Sequence, residues 1–62
     1  MKFNYRIIWT NINKNKQEWV DINDQHIALF VAKKKVNDGM QDVIIQVTAS
    51  YDGQEENNFK EN

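Results

Sequence analysis

The sequence predicts an α+β domain, a three-stranded antiparallel sheet with one helix packed on one face, in ββαβ chain order. Three observations predict it. Phe3, Tyr5, Ile7 and Trp9 alternate with mostly polar residues near the start of the chain, and Val43, Ile45, Val47, Ala49 and Tyr51 alternate later. Such alternation puts an apolar face on a half-buried strand. Between them, Gln25 to Val36 holds no Gly or Pro and spreads its apolar residues over a helical period.

Residues 2–11 are the first predicted strand. The polar run Ile12-Asn13-Lys14-Asn15-Lys16-Gln17 is rich in turn formers, and Glu18-Trp19-Val20-Asp21-Ile22 reads as a second strand closing a hairpin. A two-residue turn at Lys14-Asn15 would set Trp9 opposite Val20 and Ile7 opposite Ile22. Phe3, Tyr5, Ile7, Trp9, Val20 and Ile22 would then share one face, whereas a one-residue slip would put Asp21 among the aromatics. Lys14-Asn15 is a weak hairpin dipeptide, which leaves a longer loop open.

Asn23 is the expected helix N-cap, with Asp24 in the first turn, where the helix dipole favours an acid. Ile22 and Ile27 fit a hydrophobic staple across that cap. Lys33, Lys34 and Lys35 suit the negative end of the dipole, and Gly39 supplies a left-handed C-terminal cap. Ile27, Ala28, Leu29, Val31, Ala32 and Val36 span a broad apolar arc. Phe30 lies off its centre, either at the rim of the core or on a contact patch.

Residues 42–51 are the third strand. A right-handed crossover through the helix can set it beside the first, giving the strand order 2-1-3. Residues 1–52 thus read as one domain, and residues 53–62 as an acidic, disordered tail. Residues 1–51 carry seven Lys/Arg and five Asp/Glu, or +2. Residues 52–62 carry one Lys and four acids, or −3. Neither balance is that of a strongly basic nucleic-acid binder.

A 62-residue chain buries only about 60% of its unfolded surface, so its core is marginal. Small proteins often add a disulfide, a metal or a partner subunit. This chain has no Cys and one His, His26, which excludes disulfides and thiolate or His-rich metal sites. No cofactor or small molecule is indicated. No stretch reaches the length of a membrane span, and the N-terminus lacks a signal-peptide core, so the expected location is cytoplasmic. The bias to Asn, Lys and Ile resembles AT-rich bacterial and phage coding, and suggests an accessory protein of a bacterium or its phage.

Catalytic constellations are absent from the sequence. His26 has no carboxylate at an orienting helical spacing, two glycines make no phosphate loop, and Glu18 and Asp21 fall on opposite strand faces. Asp38 and Asp42 flank Gly39 without a calcium-loop pattern. The informative surface is the sheet face away from the helix: Asn4, Arg6, Ile8, Thr10, Trp19, Asp21, Ile44, Gln46, Thr48 and Ser50. Most are polar, as a solvated face requires. Ile8, Trp19 and Ile44 are not, and Trp is enriched in interface hot spots.

The expected function is therefore a non-enzymatic interaction module. It would self-associate, as a homodimer or larger assembly, or bind another protein through Arg6, Ile8, Trp19, Ile44 and Gln46. The alternative is single-stranded nucleic-acid binding, with Trp19 stacking on bases, Arg6, Lys14 and Lys16 completing that surface, and Lys33, Lys34 and Lys35 available to meet phosphates.

Overall fold

The computed structural model describes residues 1–50. It has β1 (Lys2–Asn11), β2 (Lys16–Ile22), α1 (Gln25–Asn37) and β3 (Gln41–Ser50). The strands form one antiparallel sheet in the order β2-β1-β3. The fold class and strand order are those the sequence predicts. The expected domain end at residue 52, the last residue of the third strand and the acidic tail lie outside the described residues.

The β1–β2 hairpin differs in register from expectation. Ile7 faces Val20, Trp9 faces Glu18 and Asn11 faces Lys16, so residues 12–15 form a four-residue loop. A two-residue type I′ turn at Lys14-Asn15 needs positive φ at both residues. Only Asn15 has it, with φ 55. Asn11 Oδ1 instead accepts from the backbone N–H groups of Asn13 (3.0 Å) and Lys14 (3.3 Å), an Asx-type closure that fits the longer loop. The shift is two residues, so every side chain keeps its predicted face. Glu18 joins Val20 and Ile22 on the helix side and becomes the direct neighbour of Trp9.

The helix N-cap is Asp24, one residue later than expected. Its backbone is extended and its carboxylate accepts from the Ile27 N–H at 3.0 Å. The staple pair moves out of frame with it: Ile22 packs on the core, and Ile27 is exposed. At the other end, Gly39 has φ 89 and donates its N–H to the Val36 carbonyl, while Met40 donates to the Lys35 carbonyl. This pair of bonds is a Schellman cap, and Met40 packs onto the core as the accompanying apolar contact.

The core is small. Ile7, Trp9, Ala28 and Ala32 are buried, with Tyr5, Ile22, Met40, Val43 and Ile45 packed around them. Ala28 and Ala32, one helical turn apart, bring the helix backbone close to Ile7. The rest of the apolar arc is less covered than its periodicity suggests: Val31 is half-buried, whereas Ile27, Leu29 and Val36 are exposed. Phe30 is 68% exposed and belongs to the surface. Phe3 and Val20 share the helix-side face but are also exposed. Length accounts for the exposure of Phe3, near the end of β1. The helix has 13 residues and β1 has 10, which correspond to about 20 Å of helix against about 33 Å of strand.

β3 carries one irregularity. Ile8 faces Ile44 but Thr10 faces Gln41, so the strand bulges between them. Asp42 sits there with φ 54. Asp is one of the few non-glycine residues that tolerate this conformation, and a left-handed residue is a known component of such bulges.

Candidate functional site

The outer sheet face is built by the register of all three strands. Ile8 on the central strand lies opposite Trp19 of β2 and opposite Ile44 of β3. The three side chains therefore form a single apolar row across the sheet. Ile8 is half-buried by its neighbours, while Trp19 is 56% and Ile44 52% exposed. The observed hairpin register makes this row. The expected one would have put Asp21 opposite Ile8 and Trp19 opposite Thr10.

The adjacent row is polar. Arg6 lies between Asp21 and Gln46. Its Nε donates to Asp21 Oδ1 at 2.8 Å and its Nη2 to Oδ2 at 3.0 Å, a two-pronged ion pair. Asn4 Nδ2 also donates to Asp21 Oδ1, at 3.2 Å. The Arg6 guanidinium carbon lies 4.0 Å from the centre of the Trp19 ring, within cation–π range. Hydrogen bonding to Arg6, aided by Asn4, holds the Asp21 carboxyl below the usual carboxylate range. The same bond raises Arg6 above its ordinary value. Arg6 thus covers one face of the Trp19 ring and has its charge matched by Asp21.

All five predicted contact residues, Arg6, Ile8, Trp19, Ile44 and Gln46, lie on this face within two neighbouring rows. Gln46 is exposed at the β3 side of the polar row. His26 is exposed in the first turn of α1. Among the described residues no three His, Cys, Asp or Glu side chains are grouped so as to hold a metal ion. No helix of the described residues is long and apolar enough to cross a membrane.

Two features on the helix side escaped the sequence reading. The first is a polar cluster around Trp9. The indole Nε1 of Trp9, which is only 6% exposed, donates to Glu18 Oε1 at 3.1 Å, and Asn11 Nδ2 donates to the same oxygen at 3.2 Å. Lys14 reaches Glu18 Oε2 at 3.9 Å, and Lys35 Nζ sits 4.3 Å from the centre of the Trp9 ring. The hydrogen bond from Asn11, with that from Trp9 and nearby lysines, holds the Glu18 carboxyl below the usual range. A buried indole needs an acceptor, and Glu18 provides it. Strand parity had already placed Glu18 on the same face as Val20 and Ile22, which was the available signal. Lys34 lies 4.0 Å from Asp38, so two of the three consecutive lysines have intramolecular partners.

The second is an apolar groove between α1 and β3, lined by Leu29, Ala32, Val36, Val43 and Ile45 and continued by Val47. Helical periodicity makes these residues apolar but does not say which stay uncovered. Comparison of the chain with protein-family models, curated proteins and solved structures gives no match.

Proposed function

We propose that this chain is a non-enzymatic protein-interaction module, and that the outer sheet face is its contact surface. The observation that carries the reading is the Trp19–Ile8–Ile44 row, two of whose members stay more than half exposed on an otherwise polar face. An exposed Trp with a neighbouring Arg over one face offers large, partly shielded apolar area to a partner. The polar row beside it supplies a rim that tolerates water before and after contact.

Nucleic-acid binding is the competing reading, and the same geometry counts against it. Arg6 is already paired with Asp21, and it occupies one face of the ring that would stack on a base. A photoreactive residue in place of Gln46, in cells that express the chain, tests the proposal. Apart from any adduct with a second copy, it should give a discrete adduct with another protein that disappears in the Trp19→Ala background, while the same probe at exposed Asn13, in the hairpin loop, gives none. Adducts from both positions alike, or from neither, would refute the assignment. Trp quenching by mixed-sequence oligonucleotides that weakens steeply with salt would favour the competitor.

A further inference from the structure

We infer that a second copy of this chain docks on the free edge of β3, extending the sheet to six strands with both helices on one side. The two sheet edges differ in kind. β2 carries Lys16, Glu18 and Asp21, the charged residues by which edge strands avoid pairing with other chains. β3 from Val43 to Ser50 reads Val-Ile-Ile-Gln-Val-Thr-Ala-Ser, with no charge, Pro or Gly over eight residues. Among the described residues only β1 pairs with it. An edge of this composition is self-complementary: two copies meet with no like charges opposed between residues 43 and 50.

The groove continues that edge. Leu29 and Val36 of α1 and Val47 of β3 are exposed beside it, Val47 at 55%. In an antiparallel pair, residues directly opposite share a face. A two-fold axis normal to the sheet must therefore pass through a residue facing its own copy, and both helices fall on the same side. The helix flanks then meet above the strand pair and cover the groove from each other. A strand edge of ~33 Å by ~10 Å and a helix flank of ~20 Å by ~10 Å bury about 500 Å² per copy. The pair reaches the roughly 1,000 Å² expected of a biological interface. Isologous contacts of this type close on themselves and leave no free uncharged edge. The two Trp19–Ile8–Ile44 rows would lie on one continuous outer face, so the dimer would be bivalent for a partner bound there.

Light scattering across a concentration series of the full chain tests this. The mass should rise to twice the 7.4 kDa of the chain at or below about 1 mM. Val47→Lys introduces a charge at an already exposed site, and should weaken the dimer at least about tenfold with the far-ultraviolet circular dichroism unchanged. If that variant misfolds, Leu29→Lys poses the same question from the helix. Trp19→Ala should leave the dimer intact, which separates this inference from the outer-face proposal. A chain that stays monomeric throughout overturns the inference. So does a dimer that survives the folded Lys variant, or one that Trp19→Ala breaks.

Discussion

Ile7 is the residue on which the fold depends most directly. It sits at the centre of β1 with a fully buried side chain, against Trp9, Ala28 and Ala32. Burial of such a side chain contributes roughly 1.5–3 kcal/mol, and truncation leaves a cavity that raises the loss. Ile7→Ala should cost about 3–4 kcal/mol and Ile7→Val about 1 kcal/mol. A single core in a chain of this size rarely supplies more than about 3–5 kcal/mol in total. Ile7→Ala should therefore leave much of the population unfolded in buffer, while Ile7→Val still folds. Urea titrations followed by Trp fluorescence and circular dichroism check this. With a slope near 1 kcal/mol per M, Ile7→Val should lower the midpoint by about 1 M. Phe30→Ala, on the exposed side of the helix, should change stability by no more than about 0.5 kcal/mol. Protein concentration must be held constant, because association through β3 would raise apparent stability. A cost below about 1 kcal/mol for Ile7→Ala, or a Phe30→Ala effect as large, would refute this account of the core.

Other consequences follow from the helix cap and the paired carboxylates. A Cβ at Gly39 would meet nothing within 4 Å, so Gly39→Ala is penalised only by its φ of 89, at about 1–2 kcal/mol; an unchanged urea midpoint would contradict the Schellman cap. Glu18 and Asp21 are both held below the ordinary carboxylate range. Their contribution is complete above about pH 5, above the unfolded values of both groups, and is lost as pH falls through the depressed native values. Urea midpoints across an acid series should fall in that window for the native chain, and less steeply for Asp21→Asn or Glu18→Gln. Parallel slopes in all three would remove the carboxylates as the cause.

Strand and helix placement was legible in the sequence because alternation and helical spacing are local properties of the chain. Phe3 to Trp9, Gln25 to Val36 and Val43 to Ala49 carried that information, and the 2-1-3 order followed from the handedness of one crossover. The membership of the outer face was equally legible, since parity alone assigns Arg6, Ile8, Trp19, Ile44 and Gln46 to it. Neighbour relations were not. Whether Trp19 meets Ile8 or Thr10 depends on a hairpin register fixed by the Asn11 closure, by the single positive φ at Asn15 and by the buried indole's need for Glu18. Parity cannot distinguish registers two residues apart. Nor could periodicity say that Ala28 and Ala32, rather than the larger Leu29 and Val36, would meet the sheet. That was decided by how a 13-residue helix lies across three strands, and it is the reason the groove beside β3 exists.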